Sequence, residues 1–325
     1  MENTTPLTAA PVAIAVLDDY QNVALDMADW SSLGPRAAVT VFNDHIADTD
    51  ALIARLEPFD VVCVMRERTP LSADILERLP RLKLIASTGP VNRAVDVAAA
   101  EKLGKKVVNT GYESTPTIEM TWALILGVAR HIASENASVR EGGWQRSVGS
   151  DLRGKTLSVL GLGRVGSRVA AIGRAFEMKV LAWSQNLTAD KAEAVGAVLV
   201  GKEELFRRAD FLSVHLILSK RTTGLVGAAE LATMKKSAYL INTSRGPIVD
   251  EAALIEALQQ QRLAGAAIDV HDVEPLPAAH PFRTLPNVLA TPHIGYVSRN
   301  LYQTFYGDSV RNIKSWMDAG AVVPE

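Results

Sequence analysis

Residues 156–166 read TLSVLGLGRVG. A short, largely apolar run leads directly into Gly161-Leu162-Gly163-Arg164-Val165-Gly166, and a helical pattern follows. GxGxxG is a weak signal alone, but between a strand and a helix it has the context of a dinucleotide-binding turn. Gly161 permits the tight turn, Gly163 lets a pyrophosphate approach the backbone, and Gly166 allows close packing of the helix. The helix N-terminus offers unpaired N–H groups and the positive end of its dipole to the phosphates. The next strand of this unit, 179–183, ends in Ser184-Gln185-Asn186. Sites for NAD place Asp or Glu there to hold the ribose 2′-OH. No carboxylate stands at this strand end, so the cofactor is read as NAD or NADP, with a lean to NADP. Arg164 and Lys191 are the nearest cations in sequence.

Working outward, short apolar runs alternate with helical patterns on both sides of the turn. Residues 12–17, 38–42, 61–65, 84–86 and 107–108 precede it as strands. Residues 211–214, 238–241, 265–268 and 288–290 follow it. Alternation of this kind implies parallel sheets covered on both faces. Between the two series lies a long helical pattern at 117–137, opened by Ser114-Thr115-Pro116, and then Glu141-Gly142-Gly143-Trp144. The expected fold class is α/β, with two parallel-sheet domains. Lys plus Arg is 34 and Asp plus Glu is 36 in 325 residues, which gives no basic excess for nucleic acid. No run approaches the 18 or so apolar residues of a membrane span. The single cysteine, Cys63, cannot form an internal disulfide, so a reducing, cytoplasmic setting is expected. Six histidines without paired spacing suggest no structural metal site.

In open α/β sheets ligands bind beyond the carboxyl ends of the strands. Three strands after the glycine turn lead into ionisable residues there. Residues 238–241 lead to Arg245, 265–268 to Asp269 and Glu274, and 288–290 to His293. An arginine offers a planar fork to a carboxylate. A histidine exchanges a proton near neutral pH. A carboxylate beside it stabilises its charged form and fixes its orientation. That set suits reduction of a 2-oxo acid, and His215, after residues 211–214, is left as structural or cofactor-side packing.

The stretches SVHLILS at 213–219, INTSRGPIVDE at 241–251, AAIDVHDVEPLP at 266–277 and NVLATPHIGY at 287–296, with the glycine turn, resemble the D-isomer-specific 2-hydroxyacid dehydrogenases. The resemblance covers nearly the whole chain. It implies that Arg245 binds substrate, that His293 is the acid/base and that Glu274 pairs with it. It also implies that Asp269 holds the nicotinamide carboxamide. Gly161, Gly163, Arg164, Val165, Gly166, Ser184, Gln185, Asn186, His215, Thr243 and Asp269 are the residues expected along the cofactor. STGPVN at 87–92 resembles the family's substrate-carboxylate loop, with the N–H groups of Thr88 and Gly89 as donors, and Arg66 is a further candidate near the substrate. The cofactor domain, 117–291, would be inserted into a discontinuous substrate domain, 1–116 plus 292–325. A homodimer is implied as well. The expected reaction is hydride transfer between NAD(P)H and C2 of a small 2-oxo acid, glyoxylate or hydroxypyruvate. The alternatives are phosphoglycerate dehydrogenase and a non-enzymatic, NAD(H)-sensing corepressor-like protein. With about 30 residues after His293, the regulatory C-terminal domain of some phosphoglycerate dehydrogenases is not expected.

Overall fold

The computed structural model describes residues 10–320. Two compact units divide the described residues, one of residues 10–113 and 297–320 and one of residues 114–296. The expected boundaries were 116/117 and 291/292, so the turn bearing His293 falls in the second unit. The reason is local. The N–H groups of Ile294 and Gly295 donate to the carboxylate of Asp269, which ties 294–295 to the same sheet.

The first unit holds five parallel strands: β1 (Val12–Val16), β2 (Ala37–Val41), β3 (Val61–Val64), β4 (Leu84–Ser87) and β5 (Lys106–Asn109). Their order is β2-β1-β3-β4-β5. The central strands β3 and β4 are buried along their whole length, as covered parallel strands require. Helix Arg299–Asp318 closes this unit. Ser298 caps it by accepting the Leu301 N–H, and one face buries Leu301, Phe305, Ile313 and Trp316.

The second unit holds β6 (Thr156–Leu160), β7 (Lys179–Trp183), β8 (Val198–Leu199), β9 (Phe211–Val214), β10 (Tyr239–Asn242), β11 (Gly265–Ile268) and β12 (Val288–Ala290). All pair in parallel, in the order β12-β11-β10-β9-β6-β7-β8. Counted within the unit, the first six strands have the doubly wound 3-2-1-4-5-6 order, and its direction reverses between β6 and β9. Only β8 escaped the sequence reading, because two residues carry no periodicity. The expected helix at 117–137 is two helices, Thr115–Ala129 and Ile132–Arg140. His131, in the left-handed region at φ +52, breaks them.

Candidate active site

The glycine turn leaves β6 at the reversal point of the second sheet, where doubly wound sheets form their ligand crevice. Gly161 sits at φ +102, and a Cβ there would stand 2.7 Å from the His215 carbonyl oxygen. Its glycine is required by the approach of the chain after β9. Gly163 is different, because a Cβ there would meet nothing within 4 Å. Helix Arg164–Ala175 starts on it, with Arg164 exposed and Val165 partly buried. Open space at Gly163 beside a helix N-terminus fits a dinucleotide pyrophosphate. His215 Nε2 lies 2.8 Å from Ser213 Oγ. Burial pushes its pKa down to about 3, so the ring is neutral.

Ser184 is partly buried at the end of β7, and Gln185 and Asn186 are exposed. A cation reaches this strand end that the sequence reading missed. Arg221 Nη1 donates to Gln185 Oε1 at 3.4 Å, from the turn that follows β9. They are 36 positions apart in sequence, so no local pattern reveals the pair.

β10, β11 and β12 are neighbours, so the segments after them share one carboxyl edge. Asn242 shapes the first segment. Its Oδ1 accepts the Ser244 N–H, its Nδ2 donates to the Arg245 carbonyl, and Arg245 Nη1 donates to the Ser244 carbonyl. On the neighbouring segments, His293 Nδ1 lies 2.6 Å from Glu274 Oε2. Burial would raise the Glu274 pKa. The hydrogen bond and charge of His293, with the His271 N–H and charge, outweigh it and hold the carboxyl below the usual range. Tyr296, buried, meets the His293 ring edge to face at 5.5 Å. The site therefore offers a histidine oriented by a carboxylate, next to a strand end bearing an arginine.

Two residues expected along the cofactor also make bonds within the protein. Asp269 is 0% exposed. Its Oδ1 accepts from Thr291 Oγ1 at 2.5 Å and from the Ile294 N–H at 2.9 Å, and its Oδ2 accepts the Gly295 N–H at 2.7 Å. It staples the 291–295 loop, and burial raises its pKa. The Thr243 hydroxyl is turned to helix Thr115–Ala129, 2.8 Å from Thr121 Oγ1. His271, Thr291 and Tyr296 were missed. They stand inside the quoted motifs, but nothing in residue type distinguishes them there.

In the first unit, Gly89 is at φ +84. The Thr88 N–H donates to the Val64 carbonyl at 3.1 Å, and the Gly89 N–H donates to Thr110 Oγ1 at 2.7 Å. Both expected carboxylate donors thus have internal acceptors. Thr88 continues the β4 ladder toward β3, and Thr110, after β5, caps the turn. Arg66 lies over the Tyr112 ring at 5.3 Å and donates to the Thr88 carbonyl at 3.3 Å.

Residues 122–295 match the family described as D-isomer specific 2-hydroxyacid dehydrogenase, NAD binding domain. A glyoxylate reductase of Aeropyrum pernix is 37% identical over 299 residues, 89% of this chain and 84% of that protein. A D-3-phosphoglycerate dehydrogenase of Methanocaldococcus jannaschii is 38% identical over 250 residues. Those are 76% of this chain and 47% of that protein, so the chain spans about half its length. A solved structure of a phosphoglycerate oxidoreductase from Vibrio cholerae o395 is 38% identical. It superposes with a TM-score of 0.90, covering 95% of this chain and 99% of that one. Similarity this extensive, over sheets whose strand order and carboxyl-edge residues are those just described, has one meaning. This chain belongs to the D-isomer specific 2-hydroxyacid dehydrogenases, oxidoreductases acting on a CH–OH group.

Proposed function

We propose that this dehydrogenase reduces glyoxylate or hydroxypyruvate to the D-2-hydroxy acid, with NADPH preferred to NADH. The observation that carries the reading is the His293–Glu274 pair at 2.6 Å on the carboxyl edge that also bears Arg245. The Gly161–Gly166 turn would hold a reduced dinucleotide by its pyrophosphate, and the bound cofactor would supply the hydride for C2. His293 gives its proton to the carbonyl oxygen as that oxygen becomes an alkoxide. Glu274 orients the ring and stabilises its charged form before transfer. Arg245 pairs with the substrate carboxylate through its planar fork. The first unit is the substrate unit in this reading, and the second holds the cofactor.

The lean to NADPH rests on the end of β7, where no carboxylate stands and Arg221 reaches Gln185. A guanidinium there suits a 2′-phosphate, and an acidic residue would repel it. The quaternary partner proposed is a second copy of this chain. Helix Ile132–Arg140 and the segment after it expose Ile132, Val139, Trp144 and Val148, the last two at 73% and 94%. Two-fold homodimers are the commonest way to cover such a face. No described helix is long and apolar enough to cross a membrane. A cytoplasmic setting is consistent with the single thiol, Cys63, which is buried and has its pKa pushed up to about 12.

A second reading, phosphoglycerate dehydrogenase, is favoured by relatives of that name. The deciding experiment is a panel of glyoxylate, hydroxypyruvate, pyruvate and 3-phosphohydroxypyruvate, each with NADH and NADPH. Turnover of the first two in wild type, lost by about 10²–10⁴-fold in His293→Ala, is the expected result. A clear preference for the phosphorylated acid would establish the second reading. Cofactor binding without turnover of any acid would instead mark a binding protein.

A further inference from the structure

His271 lies two residues past Asp269 and three before Glu274, and it is 6% exposed. Its backbone N–H donates to Glu274 Oε1 at 2.9 Å, the oxygen that His293 does not use. Its ring Nε2 lies 3.0 Å from the Thr291 carbonyl oxygen. A carbonyl only accepts, so the proton of the ring sits on Nε2. Nδ1 is then left buried with no partner among the described residues. Phe282 packs beside the ring, with centroids 6.2 Å apart.

The same Thr291 oxygen also accepts the N–H of His293, at 3.0 Å. That bond closes a tight turn centred on Pro292, and His293, which ends it, is at φ +53, in the left-handed region. A histidine there is strained and persists only where the surroundings over-determine it. Asp269 holds the residues on either side of the turn, through Thr291 Oγ1 and the N–H groups of Ile294 and Gly295. The carbonyl on which the turn closes has His271 as its side-chain donor.

We propose that His271 is a positioning residue for the proton transfer. Its Nε2–H clamps the Thr291 carbonyl, and its backbone N–H fixes Glu274. One residue thereby sets both the turn that carries His293 and the carboxylate that orients the His293 ring. The inference rests on the reductase reading above for its kinetic consequence, but not for its structural one.

Three substitutions test it. Phenylalanine keeps a ring but has no donor. Glutamine places an amide N–H near the position of Nε2. Asparagine is too short to reach the carbonyl. In His271→Phe and His271→Asn, kcat is expected to fall about 10–100-fold, the penalty of a misplaced catalytic group. KM for glyoxylate and the dissociation constant for NADPH, by fluorescence titration, should stay within about twofold, and His271→Gln should recover most of kcat. A His271→Phe enzyme with wild-type kcat, or a His271→Gln enzyme as slow as His271→Phe, overturns the proposal. If His271→Phe fails to fold, the glutamine and asparagine variants, equally polar, decide between them. Hydrogen exchange at the amides of residues 293–295 gives a readout independent of turnover. Faster exchange in His271→Asn than in His271→Gln supports the clamp, and equal exchange sinks it. Absence of wild-type turnover on every acid would overturn the reductase reading alone.

Discussion

His293 works from a strained backbone, and its partner carboxylate is partly buried, so the pair is sensitive to charge as well as to shape. Burial would raise the Glu274 pKa, but His293 and His271 together hold it below the usual range. A carboxylate whose folded pKa is depressed contributes stability above its unfolded pKa, about 4.3, and loses it as pH falls through the folded value. The melting-temperature gap between wild type and Glu274→Gln should therefore be full at neutral pH and close below about pH 4. A gap that is flat across that range would show that Glu274 is not ionised against His293. The same variant should lose about tenfold to a hundredfold in kcat through a poorly held ring. A second residue-scale prediction concerns Arg221. Arg221→Ala should lower kcat/KM with NADPH relative to NADH by at least about tenfold, or ~1.4 kcal/mol in differential binding. An unchanged ratio would show that the guanidinium at Gln185 does not meet the 2′-phosphate.

Among the elements, the strand–turn–helix unit that starts at Thr156 separates two kinds of glycine. At Gly161 both the φ of +102 and the His215 carbonyl forbid a side chain. Gly161→Ala should lower stability, by about 1–3 kcal/mol from the backbone conformation alone. At Gly163 nothing in the protein opposes a Cβ. Gly163→Ala should therefore melt like wild type but bind NADPH and NADH more weakly by titration calorimetry. Equal cofactor affinity in a stable Gly163→Ala would mean that the pyrophosphate lies elsewhere.

For the whole molecule, the second unit carries the exposed apolar side chains of 132–148, which a second copy is proposed to cover. Light scattering should report a dimer for wild type and a monomer for Trp144→Glu combined with Val148→Glu. A double variant that stays dimeric, or a wild type that is monomeric, would remove this face from consideration. The first unit bonds its own carboxyl-edge loops internally. Gly89 and Thr88 are bonded within the unit, and Arg66 is held against Tyr112.

The sequence by itself determined the parallel sheets, nearly every strand, the glycine turn and the segments bearing Arg245, Glu274 and His293. These follow from local rules, since buried parallel strands read as apolar runs and phosphate turns need glycine at fixed spacing. Even the helix break at His131 and the two-residue strand β8 are small departures from that reading. Only the tertiary structure decided what the buried polar groups do. Asp269 was legible as a carboxylate at a strand end, but its partners are Thr291, Ile294 and Gly295, from the loop after the neighbouring strand. His271 looked like any residue of its motif until β11 and β12, pairing side by side, brought Thr291 to its ring. Arg221 meets Gln185 only because the turns after β7 and β9 lie on the same edge. A hydrogen bond of a few ångströms between residues twenty or more positions apart leaves no periodic trace in the chain. It exists once the sheet has fixed which strand ends are neighbours.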